Sequence, residues 1–254
     1  MGPFAGLMKR AARRARDLII PPVLTEISAE QWSRERAASA YFDEGIANFC
    51  AARSLSTARA GHVFEPSVAQ LALAVQTEGA RILDFGGGCG GHAALLRRLS
   101  PRRVDRYIVV ETAQMIASAK AHGLNSVHFS ETIPDEPFDV AFSSGALQYV
   151  DEPLEALAKI VSVGAPSLLL ARNVFSDRTR YFQQSTTLFE HGAGEIPTGL
   201  SDRPVKHYLQ ALPFERVKDI IGGRYEIILM TENNTGIPGG APNVHGCDLL
   251  CRLR

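Results

Sequence analysis

The sequence predicts an α/β fold: a seven-stranded, mostly parallel sheet with helices on both faces, an antiparallel last strand and an N-terminal helical extension. Three observations carry this. From residue 80 onward, short apolar runs alternate with segments of helical period. The first turn of that region is almost entirely glycine. The last two apolar runs are joined by a Gly/Pro/Asn-rich loop, 232–246, with no helix between them, which reads as a hairpin.

Residues 1–60 read as a helical extension. Phe4, Leu7, Met8, Ala11, Ala12, Ala15 and Leu18 recur at helical spacing, and Lys9, Arg10, Arg13, Arg14 and Arg16 fall mostly on the other face. Helical stretches follow at 29–53 and 66–76. The expected strands are 81–85, 107–111, 127–130, 138–144, 167–172, 225–230 and 247–252. Between most of them lie helices at 91–99, 113–122, 153–161 and 205–221, the last bent or broken at Pro213. Residues 61–254 thus form one α/β domain, and 173–204, which shows no clear period, is an insertion within it.

Composition narrows the function. Among 254 residues, 27 Lys and Arg balance 27 Asp and Glu, so the charge calls for no nucleic-acid partner. Cys50, Cys89, Cys247 and Cys251 are too few and too scattered for a disulfide framework, and read as reduced thiols of a cytoplasmic protein. No apolar run reaches the roughly 18 residues of a membrane span. The stretch 18–24 is too short for a secretory signal and is broken by Pro21-Pro22. No cluster with metal-ligand spacing is apparent.

The most informative stretch is Arg81-Ile-Leu-Asp-Phe-Gly-Gly-Gly-Cys-Gly-Gly-His92. An apolar strand runs into Asp84, glycines fall at Gly86, Gly88 and Gly90, and a helix begins. Glycines let backbone approach a bulky cofactor, and the helix start presents free N–H groups. The stretch also satisfies the dinucleotide fingerprint at Gly86, Gly88 and Gly91, with Glu111 about 20 residues further on as a ribose acid. An NAD-dependent oxidoreductase is therefore one reading. Asp84 speaks against it, because a carboxylate before the glycines repels a pyrophosphate. S-adenosylmethionine carries a sulfonium and an ammonium and no phosphate, and an acid there suits it.

The form D-x-G-x-G-x-G resembles motif I of class I S-adenosylmethionine-dependent methyltransferases, a Rossmann-like fold. That resemblance implies that Asp84, Gly86, Gly88 and Gly90 surround the methionine part of S-adenosylmethionine. It extends to Val109-Val-Glu-Thr112, which implies Glu111 on the ribose hydroxyls and Thr112 near adenine. In Phe129-Ser-Glu-Thr132, Glu131 or Thr132 would contact adenine. Phe138 to Val150 resembles the fourth motif, which implies that Ser144 leaves its strand beside the transferable methyl group. Three segments, 84–92, 144–149 and Trp32 with Ser39–Asp43, also resemble a family of bacterial methyltransferases found with surface-polysaccharide genes. The implied acceptor is a small polar molecule or a glycan sugar, methylated on oxygen. Ala40 stands where that family has glycine before Tyr41.

A sugar hydroxyl benefits from a general base. His191, in the insertion with Gln183, Gln184 and Glu190, is the best single candidate. The basic amphipathic stretch 4–19 fits peripheral contact with the inner face of a membrane. The non-enzymatic alternative is an inactive cofactor-binding partner subunit.

Overall fold

The computed structural model describes residues 23–38, 43–59, 66–100, 102, 104–191, 196–233, 241 and 243–254. The stripe 4–19, Tyr41 and most of the loop 232–246 lie outside the described residues.

Seven strands make the main sheet: β2 (Ala80–Phe85), β3 (Val104–Val110), β4 (His128–Ser130), β5 (Val140–Ser144), β6 (Ser167–Ser176), β9 (Tyr225–Asn233) and β10 (Val244–Leu253). Their order is β4-β3-β2-β5-β6-β10-β9, and β10 is antiparallel to both neighbours. The other pairings are parallel. This is the expected seven-stranded arrangement with its antiparallel last strand.

Side-chain alternation explains why this sheet is covered on both faces. Leu83, Ile108, Val110, Ala141, Leu168 and Leu170 pack in one core cluster with Leu157, Ile160, Val217 and Ile221. The alternate residues Ile82, Tyr107, Val109, Val140, Phe142 and Leu169 pack in a second cluster with Val68, Leu71, Ala93 and Leu96. Both faces of each central strand are apolar, as a parallel sheet between helix layers requires. On the first face lie α6 (Pro153–Ser162) and α7 (Phe214–Gly222). On the second lie α3 (Pro66–Ala74) and α4 (Gly91–Leu99).

Two further helices complete the set: α2 (Glu44–Arg59) and α5 (Ala113–Ala121). They pack on each other through Ala47, Ala51, Met115 and Ala119, with Cys89 of the glycine loop between them. The short α1 (Ala29–Glu35) precedes them; its Trp32 packs 5.1 Å from the Tyr181 ring.

The structure corrects the sequence in two places. Residues 205–213, expected as the first half of a helix, lie in β8 (Pro204–Pro213). Helix-forming Lys, Leu, Gln and Ala dominate this run, but it pairs along eight residues with β7 (Arg180–Thr187) inside the expected insertion. Only from Phe214 does the helix begin. In the extension, residues 23–27 form β1 (Val23–Ile27), antiparallel to β7, so that region is not wholly helical. β1, β7 and β8 make a small antiparallel sheet whose link to the main one is the pairing of Phe175 with Leu212 and of Ser176 with Pro213.

The chain goes from β2 outward to β3 and β4, then returns to β5 on the other side of β2. Such a reversal opens a crevice at the carboxyl ends of the strands, where open α/β sheets take their ligands.

Candidate active site

A cavity of about 750 Å³ occupies that crevice. Its floor is the glycine loop after β2: Gly86, Gly87, Gly88, Cys89 and Gly91 line it, followed by His92. Glycine is required at two of these positions. A Cβ on Gly86, at φ +72°, would stand 2.1 Å from the Ala146 Cβ. One on Gly87 would stand 2.3 Å from Asp84 Oδ2. Gly88, by contrast, has nothing within 4 Å of its missing Cβ, so the loop's crest is open to a ligand.

Asp84 lies behind the loop and does not line the cavity. It is fully buried, and its Oδ2 accepts the Tyr107 hydroxyl at 2.8 Å and lies 3.1 Å from His92 Nδ1. Its Oδ1 has no hydrogen-bond partner. Gly90 starts α4 in a left-handed turn, also outside the lining.

Glu111 follows β3 and reaches back across the loop. Its Oε1 accepts from the Gly88 N–H at 3.1 Å and its Oε2 from the Thr112 N–H at 2.8 Å. Burial raises its pKa, and those two N–H groups oppose the rise. Thr112 lines the cavity and also caps α5, accepting the Met115 N–H at 3.3 Å. Glu131 lines the cavity, whereas Thr132 is exposed and outside it. Ser144 lines it at the end of β5, with its Oγ unpartnered.

The opposite wall comes from the small sheet and its following turn: Gln184, Thr186, Glu190 and His191. His191 Nε2 lies 2.8 Å from His207 Nε2 and 3.0 Å from Thr186 Oγ1. A hydrogen bond between two ring nitrogens needs one of them bare, which agrees with both rings being neutral. Burial is the main cause: it pulls His191 down to about 4, helped by Arg53, and His207 down to about 3, helped by His191.

One wall was not foreseen. Cys50, Arg53, Ser54 and Thr57 of α2 line the cavity. Their spacing of three, one and three puts them on one helical face, a signal present in the sequence. Arg53 donates to the Phe189 carbonyl at 2.7 Å and also to that of His191, so α2 holds the turn that carries His191. Arg172 is a further addition: it lines the cavity at the left-handed φ of 58°. Its N–H is held at 2.6 Å by Asp248, a buried carboxylate that also accepts from Gln70. Among the described residues no group of His, Cys, Asp and Glu could hold a metal ion.

Residues 83–170 match the family model for a methyltransferase domain. The match runs from β2 into β6 and contains the glycine loop, Glu111 and Ser144. Together with the sheet order, it gives residues 83–170 as a methyltransferase domain on a Rossmann-like sheet, with S-adenosylmethionine as its cofactor. A comparison with curated proteins finds no match. Among solved structures, an amino pentose methyltransferase from Micromonospora echinaspora, with S-adenosylmethionine bound, is 16% identical at a TM-score of 0.48. That alignment covers 90% of this chain and 98% of that one. An S-adenosylmethionine-dependent methyltransferase from Clostridium acetobutylicum is 12% identical at 0.46, covering 72% and 88%. The cyclase SpnF is 18% identical at 0.49, covering 85% and 97%.

The residues present fit this cofactor. The open crest at Gly88 gives backbone access, Glu111 and Glu131 line the cavity and Asp84 lies buried beneath the loop, acids that would suit a cationic ligand. The sheet, too, departs from the dinucleotide arrangement, since the antiparallel β10 stands between β6 and β9.

The two histidines set a pH dependence of stability. Each titrates at 6.5 in its unperturbed state and at about 4 or about 3 here. Between these values the unfolded chain binds more protons than the folded one, so their stabilising contribution is whole above 6.5 and drains away as pH falls toward about 3. Urea denaturation across that range should show it, and His207→Leu should flatten the slope. An equal slope in both proteins would assign the loss to other groups.

Proposed function

We propose that this methyltransferase methylates an oxygen of a small polar acceptor, with a surface-glycan sugar as the acceptor class. The observation that carries the reading is the polar wall of Gln184, Thr186, Glu190 and His191 facing the glycine loop across one cavity. A cavity of about 750 Å³ falls within the roughly 300–1,000 Å³ of small-molecule sites. Its mixed amide, hydroxyl and imidazole groups match a ligand rich in hydroxyls.

When bound, S-adenosylmethionine supplies a methyl group on a sulfonium, a good leaving group. Asp84, Gly86, Gly88 and Gly90 shape the loop under it, Glu111 and Thr112 are assigned to the ribose and its base, and Glu131 to adenine. Ser144 ends its strand beside the reacting centre. The protein's work is chiefly to hold donor and acceptor in line. The acceptor oxygen gains the methyl and must lose its proton. His191 is the proposed recipient. Its pKa of about 4 makes it a weak base, but an oxygen that is gaining a methyl group becomes strongly acidic, so a weak neutral base suffices.

Calorimetric titration tests the cofactor half. S-adenosylmethionine and S-adenosylhomocysteine should bind and NAD should not. Glu111→Gln, which removes a charge that anchors Gly88, should weaken binding by roughly tenfold to a hundredfold. Tight NAD binding with no response to either adenosyl ligand would sink the assignment. For the acceptor half, His191→Asn should lower kcat and change its pH profile; an unaltered profile would place the base elsewhere.

The stretch 4–19 supports a further proposal, peripheral contact with an anionic membrane surface. Each basic residue near such a surface contributes roughly 1 kcal/mol. Among the described residues no helix is long and apolar enough to cross a membrane. The full chain should float with anionic vesicles and a version lacking residues 1–20 should not. Equal recovery of both would rule it out.

A further inference from the structure

The pairing of β6 with β10 is broken at one place. Cys247 stands opposite Asn173 and Leu249 opposite Leu170, so the single residue Asp248 faces both Ala171 and Arg172. This is a β-bulge, a device that re-aims a side chain beside a site. Where a bulge turns through the left-handed region its usual residue is glycine, because a Cβ is strained there. Here Arg172 takes that conformation, at φ 58°.

Buried groups hold the bulge in place. Asp248 is 7% exposed; its Oδ1 accepts the Arg172 N–H at 2.6 Å and its Oδ2 accepts the Gln70 amide of α3 at 2.8 Å. The Ala171 carbonyl accepts the Gly145 N–H at 2.8 Å, which ties the bulge to the turn after β5. Ala171 and Asn173 on either side are fully buried, yet Arg172 is exposed and lines the cavity. Its side chain runs along Gly145, another lining residue: Cβ and Nε lie 3.6 and 4.0 Å from where a Cβ on Gly145 would stand. A strained residue so firmly held points to a function for the group it aims.

The sheet order says on which side of the cavity that group stands. β6 lies two strands from β2, on the side away from β3 and Glu111. The donor's sulfonium and ammonium would be repelled by a guanidinium, so this cation answers an anion. We propose that Arg172 binds an anionic group of the acceptor, a carboxylate or a phosphate, which makes the acceptor an acidic sugar. The planar guanidinium suits either, since both offer two oxygens to its paired N–H groups. The proposal rests on the methyltransferase reading and names a second group that the acceptor carries besides its hydroxyl.

Arg172→Gly is the informative variant, because glycine takes this φ without strain. It should fold, with a melting midpoint no more than roughly 4 °C below wild type. Its S-adenosylhomocysteine affinity should be unchanged. Saturation-transfer NMR titrations would follow hexuronates, hexose 1-phosphates and neutral methyl hexopyranosides on wild type loaded with S-adenosylhomocysteine. One anionic set should bind roughly tenfold to a hundredfold tighter than the neutral sugars, and the variant should lose that preference. Preference for the uronates identifies a carboxylate, and preference for the sugar phosphates a phosphate. A wild type that binds S-adenosylhomocysteine but shows no preference for either anionic set would overturn the proposal and leave the methyltransferase reading standing. So would a preference that survives in the variant. A larger fall in the midpoint would make Arg172 structural, and a loss of S-adenosylhomocysteine affinity would assign it to the donor's carboxylate; each overturns the proposal. If wild type binds no S-adenosylhomocysteine, the methyltransferase reading itself fails and the proposal with it.

Discussion

The buried carboxylate of Asp84 is the constraint around which the site is arranged. It sits under Gly87 so closely that no side chain fits there, and it ties Tyr107 of the neighbouring strand to His92 on the following helix. One side chain thereby joins β2, β3 and the start of α4. The loop above has a single side chain of its own, Cys89, packed between α2 and α5. Its shape comes from Asp84 below and Glu111 across, the latter accepting hydrogen bonds from both Gly88 and Thr112. A flexible sequence acquires a fixed curvature because carboxylates, not glycines, determine where it goes.

The legible part of the molecule was the part encoded locally. Asp84, the glycines, Glu111 and Ser144 occur at strand ends in chain order, and alternation within each strand gives the two core faces directly. What escaped was encoded at a distance. Val205 to Leu212 reads as the start of a helix, but it is buried nearly throughout and its pairing with β7 decided the matter. Arg53 and Thr57 come from a helix more than twenty residues before the glycine loop. Their placement depends on α2 packing against α5, which no local pattern announces. Asp84 itself was placed correctly in the chain but misjudged in depth: it lies behind the loop.

The histidine pair sets the wall from the small sheet apart from the glycine-loop floor. The floor is acidic and open. The wall places neutral rings against a buried guanidinium, and the burial that keeps His191 and His207 uncharged also keeps them from repelling Arg53.

The small sheet pairs with the main one at Phe175 with Leu212 and Ser176 with Pro213, and its Phe182, Leu209 and Ala211 pack on Val174. It nevertheless contributes most of the wall that would read the acceptor. That wall lies outside the segment that carries the glycine loop. Substitutions on β7 and the turn after it can alter which molecule is admitted, while the segment from β2 to β6 keeps its geometry. Descendants of this chain could thus diverge in diet without relearning how to hold their methyl donor.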